Sequence, residues 1–193
     1  KKDLARYFIT GVSAGNADEI NQQMVSFIKE YVKDTAAIKE LDKRLKAIEK
    51  TKTGSNFAGF EAEDINGKAV SYESLKGKLV YVDVWATWCL PCRGEIPALK
   101  ELEKKFHGKD VAFVSISIDQ NKDEWKEFVK SEDLKGVQLF AENAFESQFI
   151  QDYGIRQIPT FIIIDKEGKI VNADAPRPSS NEITGLLEGL LKK

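Results

Sequence analysis

The chain has few of the residues that hold small proteins together covalently or through metals. It contains two cysteines, one histidine and one methionine among 193 residues. A structural zinc site takes four ligands, mostly cysteine and histidine, and these residues supply too few within one chain. A disulfide framework of the kind used by small secreted domains needs several cysteine pairs, so it is excluded as well.

Long apolar runs and a strong net charge are also missing. The longest runs, such as Phe161–Ile164, are far too short to cross a bilayer. The net charge is −2, so no strong field favours nucleic acid or an anionic membrane. Because the sequence begins at Lys1 and not at Met, we expect a processed or truncated product that has already lost any signal peptide or lipid anchor.

Both cysteines lie in the sequence WATWCLPCRGEIP, where Leu90 and Pro91 separate Cys89 from Cys92. A disulfide across two residues gains little by the chain-entropy argument, so a structural staple is the weaker interpretation. A zinc site shared between two chains stays open. A redox pair that opens and closes is the favoured interpretation.

Residues 1–52 contain no proline and predict a helical extension. Apolar residues recur there at steps of three and four, and Asp34 interrupts them where it could cap a second helix. We expect two helices, preceded by a short one near Leu4–Ile9. The apolar stripe either packs on its own domain or forms a surface for a partner or a second copy. Its members are Ile20, Met24, Phe27, Tyr31, Ile38, Leu41, Leu45 and Ile48.

Residues 53–193 are predicted to form one α/β domain. Asn66-Gly67, between two short extended runs, indicates a β-hairpin. Further strands are expected at Leu79–Ala86, Val111–Asp119, Val137–Phe140, Pro159–Asp165 and Ile170–Ala173, the last antiparallel to the one before it. Helices are expected at Ile96–Phe106, Asn121–Lys130, Ala144–Tyr153 and Ser180–Leu191. This order predicts a mixed sheet with helices on both faces.

The position of Cys89 predicts a nucleophile. It follows a buried strand and precedes a helix, so it lies at or beside a helix N-terminus, where free N–H groups and the dipole favour an anion. The thiolate that attacks a disulfide is such an anion. Pro91 suits the first helical turn, because the donor that it lacks is not needed there. Cys92 lies one turn further in, should be more buried, and would attack the mixed disulfide to release the product.

Two carboxylates are candidates for proton transfer. Asp83 lies in an apolar strand six residues before Cys89, where burial would raise its pKa and make it a base for Cys92. The alternative is a carboxylate satisfied by local hydrogen bonds or a lysine. Glu95 follows Cys92 by three residues, and is either a second proton relay or a solvated acid of the first turn.

The sequence GIRQIPTFIIID contains a proline at the start of a strand. Pro159 has no N–H to donate, so it cannot stand in the middle of a sheet. A cis bond at this place would leave the Ile158 backbone exposed to a substrate chain.

In combination, these motifs closely resemble those of the thioredoxin superfamily. They are WATWCLPC with Asp83 upstream, Pro97 five residues after Cys92, and GIRQIPTF. The FEAEDINGK hairpin, the WCxPCxxExP pattern and a central insertion around Ala141–Tyr153 resemble the TlpA-like/ResA-like branch, often grouped with the AhpC/TSA family. The resemblance covers residues from about 55 to 193 and implies a thioredoxin fold.

The resemblance also implies an activity and a site. It implies a thiol-disulfide oxidoreductase with Cys89 as nucleophile, Cys92 as resolving thiol, Asp83 as buried base and Pro159 as the cis-proline opposite the disulfide. The substrate surface would consist of Trp88, Leu90, Pro91, Ile158 and Pro159. Neither a cofactor nor a metal is expected.

We expect a reductant, because the pair lacks the central histidine found in strong oxidants of the superfamily. The implied partners are protein disulfides and an upstream thiol electron donor, with no nucleic acid, and the implied location is the periplasm or cell envelope. Apocytochrome c, another thioredoxin-fold protein and misoxidised envelope proteins are candidate substrates. Two other functions stay open. One is a peroxiredoxin-like peroxidase, although no proline precedes Cys89 in a Pro-x-x-x-Thr-x-x-Cys pattern. The other is a binding module whose helical extension is the functional part.

Overall fold

The computed structural model describes residues 18–192, so the short helix expected near Leu4–Ile9 lies outside the described residues. The strands are β1 (Glu61–Asp64), β2 (Ala69–Ser71), β3 (Leu79–Trp85), β4 (Val111–Ser117), β5 (Val137–Phe140), β6 (Thr160–Ile164) and β7 (Ile170–Asn172). The α-helices are α1 (Asp18–Tyr31), α2 (Thr35–Thr51), α3 (Leu90–Lys105), α4 (Lys122–Ser131), α5 (Gln148–Asp152) and α6 (Asn181–Leu191). Single 3₁₀ turns occur at Tyr72–Leu75 and Ala144–Glu146.

The strands form one mixed sheet in the order β2-β1-β5-β4-β3-β6-β7. Strands β3, β4 and β5 are parallel neighbours, while β6 and β7 extend the sheet in antiparallel fashion. The predicted hairpin is confirmed as β1–β2, which joins the sheet antiparallel to β5. Gly67 in its turn has a φ of 80°, a conformation that glycine adopts without steric cost.

Helices cover both faces of the sheet, as predicted. Every residue of β3 is buried, and its side chains alternate between the faces. Leu79 and Tyr81 pack with α3 and α6. Val80, Val82 and Val84 pack on the opposite face, in the core that includes Trp125 of α4 and Ile150 of α5. The central strand therefore holds its carboxyl end, next to the cysteines, between two apolar layers.

The first two helices form a small core of their own. Ile28 of α1 and Leu41 of α2 are fully buried in one apolar cluster between the two helices. Phe27 and Tyr31 of the predicted stripe are exposed instead, because α1 turns Ile28 toward α2. A surface for a partner or a second copy stays a prediction, as does the division into residues 1–52 and 53–193.

The second helix, α2, is tied to the main sheet domain by polar contacts. The Lys50 ammonium lies 2.7 Å from the Asp152 carboxylate at the end of α5. The Arg156 guanidinium lies 2.6 Å from the Glu40 carboxylate. These surface pairs each contribute at most about 1 kcal/mol, so they fix an orientation more than they stabilise the fold.

Two helices differ in part from the predictions. The apolar pattern indicated α3 only from Ile96, but the helix starts at Leu90, as the positions of Cys89 and Pro91 predicted, because Cys89 caps it and a proline fits its first turn. The single helix expected over Ala144–Tyr153 is split in two. Ser147 separates the pieces with extended backbone angles, φ −60° and ψ 148°, which no helix continues through.

Candidate active site

Cys89 and Cys92 are joined by a disulfide bond, with Cα atoms 5.2 Å apart. Cys89 is the N-cap residue of α3, and its sulfur accepts a hydrogen bond from the backbone N–H of Cys92 at 3.2 Å. A sulfur that stands at this helix end therefore faces N–H groups that have no partner within the helix. Pro97, the proline five residues further on, lies inside α3.

The two sulfur-bearing residues lie at almost the same depth. Cys89 is 5% exposed and Cys92 4% exposed, so Cys92 is the more buried of the two, as expected, but by a very small margin in this oxidised state. The bond itself holds both side chains at one level. The neighbouring residues Trp88 and Leu90 are much more exposed than the cysteines, at 58% and 73%.

Asp83 lies in the middle of β3, between Ser115 of β4 and Phe161 of β6. Only 8% of the residue is exposed. The pKa of the Asp83 carboxyl is raised to about 7, mainly by burial and to a smaller extent by the nearby Glu103 carboxylate, against the lowering effect of Ser115. Ser115, its partner on β4, is thus the polar neighbour of the carboxyl, and the pKa still lies near neutral pH.

A cavity of about 20 Å³ between β3 and α3 brings several predicted site residues together. Asp83, Cys92, Glu95 and Pro159 all line it. Its volume is sufficient for about one water molecule. The Ile158–Pro159 bond that closes one side is cis. The predicted residues thus meet around one small polar space directly beneath the disulfide.

Glu95 is not a solvated acid, so that alternative is wrong. Its side chain is 12% exposed. The backbone N–H and the hydroxyl of Ser179 donate to its two carboxylate oxygens, each over 3.0 Å, and the Arg177 guanidinium lies 3.8 Å away. Glu95 therefore ties the first turns of α3 to the loop that precedes α6.

Two acidic residues near the site were missed by the sequence analysis. Glu103 of α3 lines the same cavity, and burial raises the pKa of its carboxyl to about 7. Its position four residues after Leu99 places it on the buried side of the helix, a spacing signal that was available in the sequence.

Asp119 is the second missed acid, and it holds the loop that leads into Cys89. It is buried just after β4. Its carboxylate accepts hydrogen bonds from the Thr87 N–H at 3.0 Å, the Thr87 hydroxyl at 2.7 Å and the Ser117 hydroxyl at 2.7 Å. A charged residue at the end of an apolar strand beside β3 was the signal that could have revealed it.

Neither a metal site nor a membrane span is found in residues 18–192. No group of three or more His, Cys, Asp or Glu side chains in this range is arranged to hold an ion. No helix in it combines the length and apolar character needed to traverse a bilayer.

Comparisons with known proteins agree with this site. The sequence profile of the AhpC/TSA family matches residues 53–173. The thiol-disulfide oxidoreductase ResA of Bacillus cereus is 32% identical over 140 residues, which cover 72% of this chain and 79% of the relative.

Solved structures give the same result. A Bacteroides vulgatus protein assigned as a thiol-disulfide oxidoreductase is 50% identical, with a TM-score of 0.64 over 70% of this chain and 88% of that one. The thioredoxin domain of another B. vulgatus thiol-disulfide oxidoreductase is 28% identical, with a TM-score of 0.66 over 72% of this chain and 98% of that one. The chain has a thioredoxin fold with an N-terminal helical segment, and it is a thiol-disulfide oxidoreductase of the AhpC/TSA family, in its ResA-like branch.

Proposed function

We propose that the protein reduces disulfides of other proteins in the cell envelope, with Cys89 as the attacking thiolate and Cys92 as the resolving thiol. The observation that carries this proposal is the place of Cys89 at the N-cap of α3, with the Cys92 N–H directed at its sulfur. A thiolate in that position gains a hydrogen bond and a favourable dipole interaction that the thiol lacks.

The reaction then proceeds in two exchanges. The Cys89 thiolate attacks one sulfur of the substrate disulfide, forms a mixed disulfide, and releases the first substrate thiolate. Cys92 gives its proton to a base and attacks the Cys89 sulfur, which breaks the mixed disulfide and releases the second substrate thiolate. The two cysteines end as the disulfide, oxidised by the two electrons that the substrate gains.

Asp83 is the proposed base for Cys92. Both residues line the same small cavity, and the Asp83 pKa of about 7 suits a group that must gain and lose a proton near neutral pH. Glu95 lines that cavity too, but Ser179 donates to both of its oxygens. A proton relay through Glu95 stays a prediction, and its contacts support a role in positioning the adjoining loop.

The proposed substrate surface surrounds the disulfide. Trp88, Leu90 and Pro91 are exposed on one side, and the half-buried pair Ile158 and Pro159 stands on the other. Apolar side chains at the rim favour an extended protein segment over a small charged disulfide, since they bury apolar area only with a large partner. Apocytochrome c, another thioredoxin-fold protein and misoxidised envelope proteins are candidate substrates.

A location in the periplasm or cell envelope, with an upstream thiol donor that restores the dithiol, follows from the family resemblance. The helical extension is proposed to select the partner or to form a dimer. The exposed side chain of Tyr31 on α1 is the observation that supports a further contact there.

Trapping of partners tests the function directly. The Cys92→Ala variant should accumulate substrate proteins on Cys89 as mixed disulfides that a reductant releases, because no second thiol can resolve them. The Cys89→Ala variant is the matched control and should trap none. If the wild-type protein reduced no insulin disulfide, or if the Cys92→Ala variant turned over peroxide instead, the proposed function would be overturned.

A further inference from the structure

Glu103 and Asp83 share the cavity under the disulfide, approached from α3 and β3 respectively. Gly136 makes room for the Glu103 carboxyl: a Cβ atom there would stand 2.8 Å from Glu103 Oε1 and 2.9 Å from the Phe113 carbonyl oxygen. A Cβ atom essentially never approaches other atoms so closely, so any larger residue at position 136 would displace the carboxyl from its place beside the cavity.

Charged groups surround the pair unevenly. Burial raises the pKa of Glu103, and the ammonium groups of Lys100 and Lys135 act against it. Both lysines also line the cavity, and their side chains are 37% and 66% exposed, respectively, so they mark its side toward solvent. On the inner side stands Asp83, whose pKa is raised by burial and by Glu103. Glu95 is the other carboxylate at the cavity wall.

Two further polar groups of the cavity wall lack hydrogen-bond partners. The buried Gln138 donates through Nε2 to the Lys135 carbonyl, while its Oε1 has no donor. The indole Nε1 of the buried Trp85 has no acceptor. Leaving such buried groups unsatisfied destabilises the folded state. The cavity of about 20 Å³ beside them has the volume for one water molecule, which can both donate and accept.

We propose that a water molecule in this cavity joins Asp83 to Glu103. Asp83 takes a proton from Cys92, and this proton returns to solvent through the water and Glu103. This inference rests on the proposed function of Asp83 as the base. The balance is simple: the Cys92 thiol loses a proton to the Asp83 carboxylate, and the same proton moves through the water to the Glu103 carboxylate. It leaves between Lys100 and Lys135, and no electron moves in these transfers.

The Glu103→Gln variant tests the link, with Glu101→Gln as its matched control. Glu101 lies on the exposed side of the same helix, so the control makes the same change of charge away from the cavity. The titration of the Asp83 carboxyl is followed by ¹³C NMR in the oxidised protein, where neither cysteine titrates. We expect Asp83 to titrate about one pH unit lower in Glu103→Gln, because a like charge is removed, and to be unchanged in Glu101→Gln.

Rates of the resolving step complete the test. Stopped-flow measurement should show the acid limb of the pH profile shifted to lower pH in Glu103→Gln and the maximal rate reduced about tenfold. An unmoved Asp83 titration would overturn the link between the carboxyls. A shifted titration with an unchanged maximal rate would overturn the proton route.

The wild-type protein provides a readout that needs no variant. When two carboxyls interact, the titration curve of each one shows two steps. Single-step curves for Asp83 and Glu103 would therefore also overturn the proposal. These titrations do not depend on turnover. A protein that reduced no disulfide but showed coupled carboxyls would thus contradict the proposed function alone.

Discussion

The backbone N–H of Cys92 donates to the sulfur of Cys89 over 3.2 Å, so the first cysteine of the motif caps the helix through the main chain of the second. This contact uses the backbone of Cys92 and leaves its own sulfur for the disulfide. Replacing the Cys92 side chain therefore preserves the environment of Cys89 while removing the competing thiol.

The reduced Cys92→Ala variant should expose an unusually reactive Cys89. We expect iodoacetamide to modify it about tenfold faster at pH 7 than it modifies free cysteine, because the helix N-terminus favours the thiolate. The Cys89→Ala variant, in which only Cys92 remains, should react more slowly than Cys92→Ala. A Cys89 rate equal to that of free cysteine would contradict the assignment of the nucleophile.

Replacing Asp83 should change how stability depends on pH. The folded-state pKa of Asp83 is about 7 against 3.8 for an unperturbed carboxyl, so the unfolded chain ionises first. The free energy of unfolding of the wild type should therefore fall between about pH 4 and pH 7, where the folded state binds more protons. Asp83→Asn removes this loss and should be more stable than the wild type at pH 8, by up to about 4 kcal/mol.

Urea unfolding of both proteins at several pH values measures this difference. Asp110→Asn is the control, since Asp110 is exposed. Stability curves for wild type and Asp83→Asn that stay parallel from pH 4 to pH 8 would show that Asp83 is not held protonated by the fold.

The same variant should be slow in catalysis. Without the Asp83 carboxylate, Cys92 loses its proposed base, and we expect resolution of the mixed disulfide to slow about 100-fold at pH 7. The loss should shrink as pH rises, because hydroxide takes over the role of the base. A stopped-flow rate equal to that of the wild type across this range would exclude Asp83 as the base.

Trp88 provides a test of the substrate surface. Because its side chain is exposed, Trp88→Ala should leave the free energy of unfolding within about 0.5 kcal/mol of the wild type. We expect KM for a protein disulfide to rise about tenfold, as for a residue that anchors an interface, with small-molecule disulfide reduction unchanged. His107→Ala, at an exposed position beyond the far end of α3, should alter neither. Equal KM values for wild type and Trp88→Ala would place docking elsewhere.

Asp119 should stabilise the loop before the cysteines. Asp119→Ala leaves the Thr87 N–H, the Thr87 hydroxyl and the Ser117 hydroxyl without their acceptor, and we expect a loss of about 1–3 kcal/mol in unfolding free energy. Asp110→Ala, at an exposed position, should cost less than about 0.5 kcal/mol. A loss no larger than that of the control would show that Asp119 does not hold this loop.

Local pattern was sufficient for most of the elements. The strand Leu79–Trp85 and the hairpin around Gly67 were predicted within a residue or two, because apolar runs and an Asn-Gly turn are signals carried by adjacent residues. The split at Ser147 and the outward turn of Phe27 were not, because each depends on what the helix packs against. Propensity gives way to tertiary contacts at such places.

For the site, the sequence by itself determined the chemistry: a cysteine pair at a strand-to-helix junction, a carboxyl within an apolar strand, and a proline that starts another strand. Only the tertiary structure decided which of these groups meet. Pairing of β3 with β4 and β6 places Asp83 beside Ser115, and the packing of α3 on that sheet encloses a cavity that Glu103 enters. Burial and carboxyl–carboxyl coupling arise from residues distant along the chain, so no local pattern could have given them.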